Sequence, residues 1–234
     1  MYKILAETDG FLVIDKAPGV SVHRDQEAVG LVMQVERDRN EKLWLVHRLD
    51  RMTSGVMLLA RSAEVCNRLA ELFRNQQVEK YYLALSDKKP TKKQGQVIGD
   101  MERGRRGSWK LLRSRSNPAL TEFYSCSAGP GLRLFLCRPG TGRTHQIRVA
   151  LKSVGAPIIG DPIYHEVVEP APDRGYLHAW QLCFSLDGCE YCYRSDPQCG
   201  ELFRGAGVLD ALNDWADPSA MKWRLAGKRN PPAV

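Results

Sequence analysis

Between Val46 and Leu59 the chain reads VHRLDRMTSGVMLL, a carboxylate set among cations and hydroxyls. Asp50 has Arg48 and Arg51 on either side, His47 ahead of it and Thr53 and Ser54 behind. Such surroundings keep a carboxylate ionised, and an ionised carboxylate can act as a nucleophile. The same residue types also suit a solvated turn, because charged residues at strand ends are commonly surface groups. In either case the group needs a rigid base. Trp44, Leu45 and Val46 lead in as a short strand, and Gly55 to Ala60 lead out as a second.

HRLDRMTSG resembles the signature of the RluA-type RNA pseudouridine synthases, in which HRLD is followed by two variable residues and TSG. Further stretches resemble that family's other motifs, in its order. FLVIDKAPGVSVH resembles the first, with Lys16 and Pro18 shaping a turn beside the central loop, and Lys80, Tyr81 and Tyr82 match a Lys, variable, Tyr strand. RPGTGRTHQIRVALKSVGAPIIGDPIY resembles GRTHQIR, a helix and a Gly-Asp turn ending in Tyr, and YLHAWQLCFSL is similar to the last core strand. The resemblance implies that Asp50 is the catalytic residue and that Arg48 helps to displace and replace the target base. It implies that Tyr82 packs against Asp50 and the flipped base and helps remove the carbon 5 proton. Arg148 would pair with Asp50 and hold it charged without a metal, with no other strong carboxylate partner in view. His47, Thr53, Arg143, His145 and Gln146 would line or support the substrate site.

The implied fold is α/β of the α+β type, a mixed, largely antiparallel bent sheet in two subdomains with the active-site cleft between them. The implied reaction is isomerisation of uridine to pseudouridine in structured ribosomal or transfer RNA, with no cofactor. Many relatives carry an N-terminal RNA-binding domain; with the first motif near Phe11, this chain is expected to be the catalytic domain alone, a monomer.

Charge agrees with a polyanionic partner. Lys and Arg number 34 against 27 Asp and Glu, a net +7. The excess is concentrated between Lys88 and Arg115, where ten basic residues meet only Asp100 and Glu102. This glycine-interrupted stretch, 88–118, reads as a basic insertion that touches phosphates, with Trp109, Leu111 and Leu112 to pack it. It does not fit a P-loop, which ends in Gly-Lys-Ser/Thr. Nothing at the N-terminus resembles a signal peptide and no run approaches a membrane span, so the expected location is cytoplasmic, with seven reduced cysteines. Cys183, Cys189, Cys192 and Cys199 near His178 invite a zinc reading, but lack a second close pair, and a plain hairpin fits better.

The scaffold is read from periodicity. Strands are expected over 2–6, 11–15, 78–86, 119–127 and 132–138. Helices are expected over 29–40 and from a Ser62 cap to Gln76, with Val65, Leu69, Leu72 and Phe73 as one buried stripe. His23 reads as a turn histidine and 221–234 as a loosely held basic tail. The contrasting readings are a non-catalytic RNA binder on the same fold and a zinc-dependent RNA-modifying enzyme.

Overall fold

Alternating and all-apolar runs become strands wherever glycine, proline or aspartate turns separate them, and in this chain they close on one large sheet. A computed structural model describes residues 1–22 and 30–224. His23, and the start of the first helix as expected at Val29, lie outside the described residues. The strands are β1 (Tyr2–Glu7), β2 (Phe11–Lys16), β3 (Trp44–Leu45), β4 (Ser54–Ala60), β5 (Glu79–Ser86), β6 (Gln94–Gly99), β7 (Met101–Arg103), β8 (Trp109–Leu111), β9 (Ala119–Gly129), β10 (Leu132–Pro139), β11 (Leu177–Leu186) and β12 (Cys189–Arg194). The helices are α1 (Leu31–Arg39), α2 (Ala63–Arg74), α3 (Gln146–Ser153) and α4 (Ala206–Asp214).

The main sheet runs β1-β2-β4-β11-β5-β10-β9-β6, with β12 added to β11 and β3 to β4. Its neighbours are antiparallel except at one place. β4 and β11 run parallel and share only two register pairs, His178 with Ser54 and Ala179 with Gly55. This narrow join divides the sheet into two halves.

The expected elements appear with small shifts at their ends. Ser62 caps α2 by accepting the N–H of Val65, and Leu69 is buried with Val65, Leu72 and Phe73 packed around it. The basic stretch is ordered, and its first part belongs to the main sheet: β6 pairs with β9 from Gln94 to Gly99, while β7 and β8 form a separate hairpin. Of the tail expected over 221–234, residues 225–234 lie outside the described residues, and the part before them is held. Trp223 is buried, donates its indole N–H to Pro218 O, and sits beside Tyr81 and Tyr124.

Gly55 makes the join possible. Its φ is 110°, and a Cβ there would lie 2.1 Å from the backbone oxygen of Ala179. Gly55→Ala is therefore expected to cost at least about 2 kcal/mol, from strain at positive φ added to a backbone clash. A urea midpoint equal to that of the parent chain would contradict this.

Candidate active site

The loop carrying Asp50 is fixed at both ends. The N–H of Thr53 donates to Asp50 O at 3.0 Å, which closes the turn, and Thr53 itself is buried. Gly19 and Arg51 exchange two bonds, Gly19 N–H to Arg51 O at 2.8 Å and Arg51 Nε–H to Gly19 O at 3.0 Å. Lys16, wholly buried at the end of β2, donates to Ala17 O, Val20 O and Arg51 O at 2.9, 2.8 and 3.2 Å. Burial pulls its pKa down to about 7, and Arg174 adds to this. Three carbonyls, one for each N–H of the charged form, hold the ammonium. The first motif is thus a clamp on the second.

Arg148 comes to Asp50 from the other half of the sheet. Its helix, α3, starts from His145 at a φ of 57°, and Arg148 Nη1–H donates to Asp50 Oδ2 at 3.0 Å. The expectation that Arg148 lacks another strong carboxylate partner is corrected here. Nε and Nη2 donate to the two oxygens of Asp161 at 2.7 and 2.8 Å, and Asp161 is 2% exposed. Oδ1 of Asp161 also accepts the N–H groups of Ile163 and Tyr164. Burial disfavours the guanidinium charge, but Asp161 and Asp50 more than offset it, and the pKa of Arg148 is raised. Asp161 was visible in the sequence only as the acid of the Gly-Asp turn, with nothing to say what it would meet.

A cavity of about 660 Å³ opens above this pair. Arg48, Asp50 and Arg51 line it from the central loop, Arg148 from α3 and His145 from just before it, and Arg174 from the bend that precedes β11. Arg48 is exposed, as a side chain that meets RNA has to be. Arg174 is buried and donates to Ser54 Oγ at 2.7 Å and to Leu177 O at 3.0 Å. Ser54 Oγ lies 2.7 Å from His178 Nδ1, whose Nε2 lies 2.7 Å from Ser195 O. Burial lowers the pKa of His178 to about 4, so the ring is neutral: Nε2–H donates to the carbonyl, and Ser54 donates to Nδ1. No sequence signal marked Arg174.

Other expected site residues stand elsewhere. His47 is turned away from the cavity: its Nε2 accepts the N–H of Leu58 at 3.0 Å, and its ring stacks on Phe73. Burial, with Lys80 adding to it, lowers its pKa to about 3, which keeps it neutral. Gln146 is buried with all four amide valences in use. Oε1 accepts from Thr141 Oγ1 and Arg143 N, and Nε2 donates to Leu120 O and Thr121 Oγ1. No atom of it remains for a substrate, so it braces the turn before α3. Arg143 is exposed and pairs with the Asn117 side chain. Tyr82, on β5, is near enough to feel Asp50: burial first and that charge second raise its pKa, so it stays a neutral phenol.

No cluster of three or more His, Cys, Asp or Glu side chains that could hold a metal ion occurs among the described residues. Cys183 and Cys192, opposite each other in β11 and β12, are joined as a disulfide, which corrects the expectation of seven reduced thiols. No helix among the described residues is long and apolar enough to cross a membrane.

Residues 10–153 match the protein family described as RNA pseudouridylate synthase. An uncharacterized RNA pseudouridine synthase of Haemophilus influenzae is 50% identical over 183 residues, which cover 78% of this chain and 81% of that protein. Ribosomal large subunit pseudouridine synthase D of Nitrosomonas europaea is 34% identical over 207 residues, covering 77% of this chain and 57% of that longer protein. The solved structure of human RNA pseudouridylate synthase domain containing 1 superposes with a TM-score of 0.71 at 26% identity, covering 84% of each chain.

Proposed function

Because the chain belongs to the RNA pseudouridylate synthase family and is thus an isomerase of uridine in RNA, we propose that it acts on particular uridines of structured ribosomal or transfer RNA, with Asp50 as the acting carboxylate. The observation that carries this reading is Asp50 on the wall of a basic cavity, bonded to an arginine that a second, buried carboxylate holds in place. Asp50 acts in breaking the bond between the base and the sugar, by attack on either or by removing a sugar proton. The freed uracil turns in place and rejoins through carbon 5, from which a proton leaves. No atom is gained or lost, so the chemistry consumes no co-reactant. In this reading Tyr82 packs against the base and, as a neutral phenol, helps the carbon 5 proton leave by relaying it through its hydroxyl. Arg48, exposed at the rim, occupies the place the uridine leaves in its stack.

Ribosomal RNA is supported as the target by the relative from Nitrosomonas europaea, a ribosomal large subunit pseudouridine synthase. Pseudouridine mapping of total RNA from cells with and without the protein tests the assignment. At least one uridine should lose its modification in the cells without it, and identical maps would refute the proposal.

The hairpin of β7 and β8 contributes affinity without chemistry in this reading. Arg103, Arg105 and Arg106 are exposed on it, around a turn at Arg106 and Gly107. Replacing all three with Gln should weaken RNA binding and flatten its salt dependence by up to about three units of slope, leaving kcat unchanged. An unchanged slope would count against this role.

A further inference from the structure

Tyr164 ends the Gly-Asp turn and touches three elements at once. Its own N–H donates to Asp161, and the Arg148 guanidinium lies 5.1 Å from its ring centre. Its hydroxyl accepts the backbone N–H of Trp109 on β8 at 2.6 Å and stands 3.0 Å from His145 Nδ1. A hydroxyl that accepts one bond still has its own hydrogen to place. Tyr164 is only 6% exposed, so water has little access, and the acceptor within reach is Nδ1.

We propose that Tyr164 is a positioning residue: it donates its O–H to His145 Nδ1 and fixes that ring as the Nε2–H tautomer, so that His145 offers an N–H to a carbonyl oxygen of the uracil held beside Asp50. The inference rests on the reading that the cavity receives the target uridine. His145 lines the same cavity as Asp50, from the first residue before α3. A neutral ring is favoured there. Burial and then Arg148 lower the pKa of His145 and Arg48 acts the same way, against the opposing charges of Asp50 and Asp161. Tyr164 adds to this, because a bond donated to Nδ1 exists only while that nitrogen is unprotonated.

The division of labour follows from charge. Phosphates are served by the arginines of the rim, whereas a neutral N–H matches a neutral carbonyl. It also rejects cytosine where uracil carries its second carbonyl, since cytosine presents an amino group at that position. The backbone of β8 takes part, because Trp109 N–H donates to the hydroxyl oxygen and leaves the hydroxyl hydrogen to point at Nδ1. A phosphate-binding hairpin thereby touches the group that reads the base.

Two measurements test this, one without RNA. Nitrogen-15 NMR of histidine-labelled free protein at pH 7 should show His145 protonated at Nε2 and bare at Nδ1, and Tyr164→Phe should raise its pKa and mix the tautomers. A hydrogen on Nδ1 in the parent chain, or an unchanged spectrum in Tyr164→Phe, overturns the proposal. The second measurement is tritium release from total RNA labelled with [5-³H]uridine and taken from cells lacking the protein. His145→Ala should lose about tenfold or more in kcat/KM, as expected for a lost hydrogen bond, and His145→Gln, which keeps an N–H at similar reach, should recover most of it. Tyr164→Phe should lose about tenfold at neutral pH and more as pH falls. A Gln variant no better than Ala overturns the donor role. If the parent chain releases no tritium, the proposed function fails instead, while the NMR result still decides the tautomer.

Discussion

Asp50→Asn is expected to abolish pseudouridine formation, by about a thousandfold or more, while leaving the protein folded and able to bind RNA. Asparagine keeps nearly the same size and loses only the charge and basicity on which the chemistry depends. The fold should tolerate it. The Asp50 side chain is 20% exposed and contributes one of the three bonds that Arg148 makes to carboxylates, and the other two go to Asp161. RNA affinity should stay level or rise, since one anionic group facing the phosphates is gone. The decisive measurement takes tritium release and RNA affinity on the same preparations, with labelled RNA that contains the natural target. Full turnover by Asp50→Asn would remove this carboxylate from the mechanism. Loss of turnover together with loss of folding would also count against the account, because it would make Asp50 a structural residue.

The largest effect on stability is expected at Asp161. Removing one partner of a buried ion pair strands the other, and such losses typically reach about 3–5 kcal/mol. Arg148 is 3% exposed and Asp161 2%, so among the described residues Asp161→Ala leaves a guanidinium with Asp50 as its one carboxylate partner, and Arg148→Ala leaves a carboxylate with two backbone donors. Both should fall by similar amounts in urea unfolding, and the double variant should cost clearly less than the sum of the two, because neither charge is then stranded. Activity should be lost with either, since Asp50 loses its partner or that partner loses its anchor. Additive losses would show that the two residues act separately. A stable Arg148→Ala would return Arg148 to the simpler role that its motif suggests, a partner of Asp50 alone.

That contrast shows what local sequence can carry. Most strands of the main sheet and α2 were legible because their apolar spacing and the Ser62 cap are properties of a few consecutive residues, whereas β6, β7 and β8 lay hidden in the basic stretch. Asp50 and Arg148 were legible as a pair because each stands in a dense motif. What no motif contains is which atoms of a residue remain free after folding. Gln146 and His47 have types suited to touching a substrate, yet the backbone and side chains around them use up Gln146 and turn His47 toward Phe73. Asp161 and Arg174 are the converse: their importance comes from partners that only the fold brings near. Trp223 likewise anchors a segment whose composition alone reads as a basic tail, because its pocket is built by Tyr81 and Tyr124.

The position of β11 has a consequence for how this chain can be made. The strand lies between β4 and β5 near the middle of the main sheet, yet it follows every other strand of that sheet except β12 along the chain. Until Leu177–Leu186 has emerged, the nascent sheet exists as two separate pieces, with β5 presenting an unpaired edge and β4 an edge that the two residues of β3 cover only at one end. Such edges are where growing chains stick to one another, and contacts spanning more than a hundred residues form slowly because a long loop must close first. Ser54 meets His178 across 124 residues and Arg174 across 120. The cleft is therefore completed only once β11 has been made, and a truncated product ending before β11 should aggregate rather than persist as a weakly active enzyme.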